Sequence, residues 1–286
     1  MFDAMVFAGG GNRCYWQGGF YEAVADRIAL APSLVVGASA GAFAATYSLL
    51  EVGAEVRRSV IDACGPHLKN FDLAAHRRGE PLCPVGPMYA ALLAQTIDAP
   101  ALARLHTITD LRIAISRLPR RLSPAVGAAI GIGAYQLEKR LFHPVHPRFG
   151  RALGFRSEFV TVRQLTTPEE LRTTLIASGG VPPFMPVTRV GGVPAFDGGL
   201  VDNVPVEPLR NLEAQGGRSL VLLTRLYKAV PLLPNRTYVQ PSVPIRVKQF
   251  DVTDPAGIRH AYELGLKDGG TFARSLSSRK ARRVVG

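Results

Sequence analysis

Cysteine is nearly absent from this chain, and the three present, Cys14, Cys64 and Cys83, form no C-x-x-C pair and no metal-ligand spacing. An odd, scattered set excludes a disulfide framework and points to a reducing, cytoplasmic compartment with no bound metal. Long apolar runs are missing too. No segment reaches the roughly 18 uninterrupted apolar residues of a membrane span, and the first apolar run, Met5 to Ala8, ends in Gly9-Gly10-Gly11, too soon for a signal-peptide core. There is no internal repeat and no low-complexity tract. A Walker lysine and aromatics interleaved with bases are also lacking, which weakens any reading as a nucleotide- or nucleic-acid-binding protein.

What remains is a 286-residue chain, 47% hydrophobic and 20% charged, the balance of a folded α/β protein. Its net charge of +12 is unevenly placed. Residues 112–156 carry nine Arg or Lys and one acid, Glu138, and residues 274–286 carry five bases and no acid. The rest of the chain is close to neutral. Two basic segments on a neutral body suit an anionic surface such as lipid headgroups, and they also suit a merely solubilising exterior. The 274–286 tail is expected to be disordered.

The first fifty residues alternate strand, glycine loop, helix, strand, tight turn and helix, the rhythm of a mostly parallel sheet in an α/β fold. Trp16, Phe20, Val24 and Ile28 recur at intervals of four and predict one buried helical stripe. Leu34-Val35-Val36 predicts a second strand, parallel to the first through a right-handed crossover. Residues 65–110 hold Pro66, Pro81, Pro84 and Pro87 and resist assignment. Strands are predicted at Leu111 to Ile115, Phe159 to Val162, Leu220 to Leu223 and Ile245 to Val247. Thr167-Pro168-Glu169-Glu170 reads as a capping box opening a helix that runs to Ser178, and Asp254-Pro255 opens a last helix. Apolar Ala125 to Tyr135 lies between Arg120-Arg121 and Lys139-Arg140; an interfacial helix, a lid and a buried glycine-rich helix all fit that composition.

Three motifs carry chemistry. Gly37-Ala38-Ser39-Ala40-Gly41 matches the G-x-S-x-G elbow, in which a serine is thrust out on a sharp strand-to-helix turn whose flanking glycines avoid collisions. Gly9-Gly10-Gly11-Asn12-Arg13 follows the first strand, so its backbone N–H groups can hold an anion at a helix start, with Arg13 adding a donor or bracing the loop. For an acyl hydrolase that anion is the oxygen of the tetrahedral intermediate. A dinucleotide fingerprint would need glycine where Cys14 stands. Asp197-Gly198-Gly199 follows a predicted strand end, where an aspartate can reach a neighbouring serine; Asp-Gly is also a common turn dipeptide.

In order and spacing these motifs resemble the patatin-like phospholipases. Ala177-Ser178-Gly179-Gly180-Val181-Pro182 and Leu200-Val201-Asp202-Asn203-Val204-Pro205-Val206 look similar to that family as well. The resemblance covers roughly residues 4–60 and 159–270; Cys14 departs from it, since the family's loop usually continues with glycine. It implies one three-layer α/β domain over 1–273, with helices on both faces of the sheet and a variable basic, partly apolar insert at about 65–157. It implies a Ser39–Asp197 dyad without histidine, a glycine-rich oxyanion hole from Gly9, Gly10, Gly11 and Arg13, and support from Gly37, Gly41, Gly198 and Gly199. The activity implied is phospholipase A-type ester hydrolysis of an acyl lipid, without metal or cofactor. The anionic membrane would be met through 112–156 and the tail, placing the protein in the cytoplasm or peripherally at the membrane. The chain order Ser39, Asp197, His260 leaves open an α/β-hydrolase triad.

Overall fold

The structure, a computed structural model, describes residues 2–119 and 122–284; side chains at 124–125 and 279–284 are left aside. The chain begins β1 (Ala4–Phe7), α1 (Tyr15–Ala25), β2 (Leu34–Ala38), α2 (Ala40–Leu50) and α3 (Gly53–Ala63). The proline-rich stretch folds into α4 (Leu73–Arg77), α5 (Val85–Thr96) and α6 (Ala99–Ile108). Then come β3 (Asp110–Arg117), α7 (Pro124–Leu141), α8 (Phe149–Ala152), β4 (Arg156–Thr161) and α9 (Pro168–Ser178). The remainder is β5 (Thr188–Val190), β6 (Val193–Asp197), α10 (Gly199–Asp202), α11 (Arg210–Ala214), β7 (Ser219–Leu222), β8 (Arg236–Val239) and α12 (Pro255–Val284).

Eight strands form one mixed sheet in the order β5-β6-β3-β2-β1-β7-β8, with β4 also on β3. The five strands from β3 to β8 are parallel, and β4, β5 and β6 pair antiparallel. β1, β2 and β7 are buried along their whole length, as parallel strands covered on both faces must be. Met5, Phe7, Val35, Leu220 and Leu222 point into a large core with Trp16, Phe20 and Phe43 of α1 and α2. Alternate residues Val6, Val36 and Val221 meet Val204 and Leu209 on the opposite face. These are the three layers the sequence implies. α1 and α12 touch almost backbone to backbone: a Cβ on Gly265 would lie 2.1 Å from the Trp16 carbonyl oxygen.

Thr167 caps α9 in a full capping box with Glu170, and α9 ends at Gly179 as expected. α1 ends earlier than the stripe suggests, so Ile28 packs from beyond the helix. Two expectations need correction. Ile245–Val247 is not a strand. Both side chains are buried, but Pro241 and Pro244 precede them, and the Val247 carbonyl receives Arg13 Nε instead of a ladder partner. The strand beside β7 is β8. Residues 275–284 are not irregular either: they continue α12, with Phe272 and Leu276 packed on the core. Arg120, Arg121 and residues 285–286 lie outside the described residues.

Candidate active site

β3 sets the geometry of the site. β4 pairs along one edge of β3 from Arg112 to Arg117, so β2 and β6 must share the other edge. Ala38, the last residue of β2, pairs with Ala114, and Asp197, the last of β6, pairs with the next position, Ile115. Two chain ends approaching from opposite directions are thus held at adjacent register positions. Ser39 Oγ lies 2.6 Å from Asp197 Oδ2.

Ser39 caps α2 with φ 53° and ψ −138°. That backbone region is close to glycine-only and costs about 1–3 kcal/mol for a residue with a side chain. Ser39 is buried at the α2 N-terminus, whose partial positive charge favours an anion. The elbow closes because its glycines permit close approach: a Cβ on Gly41 would stand 2.4 Å from the carbonyl oxygens of Phe7 and Ala8.

Asp197 is buried. Desolvation raises its pKa to about 6, while hydrogen bonds from Ser39 and from Gly199 N–H, the latter at 2.6 Å to Oδ1, pull the other way. Ser178, which the sequence offered only within a family-like stretch, ties the parts together. Its hydroxyl accepts Ser39 N–H at 2.9 Å and donates to the Ala114 carbonyl at 2.7 Å.

The glycine loop is only partly available for an anion. Gly9 N–H donates to the Asn203 carbonyl at 2.9 Å, and Asn203 Nδ2 returns a bond to the Gly9 carbonyl at 2.8 Å. Thr224 Oγ1 donates to the same carbonyl at 2.7 Å. Arg13 N–H is taken by the Gly10 carbonyl and Arg13 Nε by Val247. Arg13 Nε therefore braces the loop, one of the two roles open to it, and Gly9 N–H is engaged within the protein, contrary to its expected place as a donor. Among the described residues, the N–H groups of Gly10 and Gly11 have no partner. Asn203 and Thr224 carried no sequence signal of their own beyond Asn203's place in a family-like stretch.

A cavity of about 460 Å³ opens at Ser39 and runs between α1 and α2. Phe43 and Tyr47 on successive turns of α2, and Glu51 just beyond its end, line it together with Gly18, Tyr21 and Ala25 of α1. His260 is exposed on α12 and bonds neither Ser39 nor Asp197. His146 reaches Asp202 and Tyr238 instead, at 3.2 and 2.8 Å. Among the described residues, no three His, Cys, Asp or Glu side chains converge as a metal site requires, and no helix is long and apolar enough to cross a membrane.

A serine elbow in the middle of such a layered sheet defines an α/β acyl hydrolase. The sequence profile described as Patatin-like phospholipase matches residues 5–210, and the chain belongs to that family, which places it among lipid acyl hydrolases. No curated protein sequence matches it. Among solved structures it is similar to the crystal structure of VipD from Legionella pneumophila, with 10% identity and a TM-score of 0.47, over 96% of this chain and 67% of that one.

Proposed function

We propose that the protein is a phospholipase A-type esterase working through a Ser39–Asp197 dyad and an acyl-enzyme. Asp197 accepts the Ser39 proton as Oγ bonds to the ester carbonyl carbon, and the N–H groups of Gly10 and Gly11 hold the resulting oxyanion. Collapse expels the lipid alcohol, which takes the proton back from Asp197. Water then adds to the acyl-enzyme with Asp197 as base, releasing the fatty acid and restoring the serine. The acyl chain occupies the channel between α1 and α2. The observation that carries this reading is the 2.6 Å contact between two buried oxygens, neither of which is hydrogen-bonded to a histidine among the described residues. Labelling by a fluorophosphonate probe tests it, because the adduct must map to Ser39. A dyad also predicts that His260→Ala keeps kcat/KM on a short-chain ester within about twofold of the parent. A loss on the order of the 10³-fold seen when a general base is removed would establish the triad.

The lipid surface is met by α7. Its small residues, Gly127, Ala128 and Gly131, face inward, where a Cβ on Gly127 would stand 2.4 Å from Leu118. Its large apolar residues face out: Val126, Ile130, Leu137, Leu141 and the following Phe142 are 39–65% exposed. Arg140 and Arg148, both exposed, lie within and just after this stripe in the chain. An outward apolar face with basic flanks suits an anionic bilayer. Each buried side chain contributes about 1.5–3 kcal/mol, so Leu137→Ser with Leu141→Ser is expected to weaken co-sedimentation with phosphatidylglycerol vesicles at least tenfold. Unaltered partitioning would remove α7 from the membrane contact.

A further inference from the structure

Along α2 the wall of the channel changes from Phe43, one turn past Ser39, to Tyr47, a second turn on, and to Glu51 just beyond the helix. An unsubstituted acyl chain has the opposite gradient, with its polar end at the ester and only hydrocarbon beyond. Three phenols line the channel: Tyr15 of α1, Tyr47 of α2 and Tyr89 of α5. Tyr15 and Tyr89 meet hydroxyl to hydroxyl at 3.2 Å. The Phe43 ring joins Tyr89 to Tyr47, its centre 5.5 Å from the first ring and 6.3 Å from the second.

The hydrogen bonds of these phenols do not close among themselves. Two hydroxyls carry two protons and the Tyr15–Tyr89 contact uses one, so the other has no acceptor among the described residues. The Tyr47 hydroxyl is buried and has no hydrogen-bond partner among the described residues. Burial raises the pKa of all three, Tyr89 to about 12, so each is a neutral phenol at neutral pH. Thr96 stands close enough to ease the Tyr47 shift, but the two hydroxyls miss hydrogen-bond geometry, and Thr96 Oγ1 gives its own proton to the Leu92 carbonyl at 2.8 Å. Buried hydroxyls left unpaired are costly. Solvent can satisfy them in an open channel, and a plain hydrocarbon that displaces it returns no hydrogen bond. A chain bearing its own hydroxyl does.

We infer that the channel selects an acyl chain with a hydroxyl along its length, read by Tyr47 and by the Tyr15–Tyr89 pair. A hydroxyl both donates and accepts, which suits phenols that do the same. Tyr47 lies two turns beyond Ser39 on α2, about 12 Å of helix rise, so the oxygen belongs in mid-chain, away from the ester. This deepens the hydrolase reading above and rests on it.

Two measurements test the inference. The first compares kcat/KM on p-nitrophenyl ricinoleate and p-nitrophenyl oleate, chains that differ only by a mid-chain hydroxyl. The wild-type protein is expected to favour ricinoleate about tenfold, as for one buried hydrogen bond kept rather than lost, chiefly through KM. That preference is expected to fall to about parity in Tyr47→Phe and in the double variant Tyr15→Phe with Tyr89→Phe, which keep every ring. Equal kcat/KM on the two esters in the wild type, or a preference that survives in both Phe variants, overturns the inference and leaves the hydrolase reading intact. The second measures by calorimetry the binding of free ricinoleic and oleic acids to the wild-type protein, with ricinoleic acid expected to bind more tightly by a similar factor. Equal binding counts against the channel assignment. Tighter binding of ricinoleic acid with neither ester cleaved keeps that assignment and defeats the hydrolase reading instead.

Discussion

Replacing Ser39 by alanine is expected to lower kcat for ester hydrolysis by at least about 10⁴-fold, the scale on which loss of a nucleophile is felt, while thermal melting changes little. Alanine keeps the Cβ and with it the unfavourable backbone at φ 53°, ψ −138°. Glycine at the same position is equally inactive and behaves differently on melting. It removes the side chain from a region glycine occupies freely, and recovers part of the roughly 1–3 kcal/mol stored there. Fatty-acid release and a melting curve on the two variants separate the chemical part of Ser39 from its conformational cost. Residual hydrolysis above a few per cent of wild type in both would sink the serine mechanism.

Asp197→Asn is expected to abolish activity on a similar scale and to make the protein more stable at neutral pH. The wild-type carboxyl is buried with its pKa raised from 3.8 to about 6, so the native state binds a proton more tightly than the unfolded chain. The stability supplied by protonation is complete below about pH 4 and is lost as pH rises through about 6. A shift of this size corresponds to as much as about 3 kcal/mol. Asparagine retains an acceptor for Gly199 N–H and carries no charge to bury. Its advantage over wild type should therefore open between pH 4 and 6 and stay constant above, read as denaturation midpoints across that range. The wild-type kcat/KM should fall about tenfold per unit below pH 6 as the base is protonated. A flat profile between pH 5 and 7 would mean that Asp197 is not the proton acceptor.

Local signals were legible in the sequence wherever one element determined the outcome. The G-x-S-x-G turn at 37–41, the Thr167 capping box and the alternating strands at 111–115 and 159–162 all rest on neighbours within a few residues, and the folded chain reproduces each. The prolines of 65–110 obscured three real helices, since proline is harmless in a helix's first turn: Pro84 caps α5 and Pro100 lies at the start of α6. Ile245 to Val247 misled for the opposite reason, because burial alone cannot distinguish a strand from a buried loop whose carbonyl is claimed by Arg13. The site divides in the same way. Ser39 and Asp197 belong to short motifs, whereas Ser178, Asn203 and Thr224 act through bonds spanning 139, 194 and 215 positions, which no local pattern encodes. The donor role expected of Gly9 failed on one such long-range bond.

The two-way bond between Gly9 and Asn203 fastens the glycine loop to the segment leaving Asp197. Neither half of the apparatus can drift without dragging the other. As the protein is warmed, turnover should persist at full efficiency in every molecule still intact and vanish in a single step, with no partially competent species between.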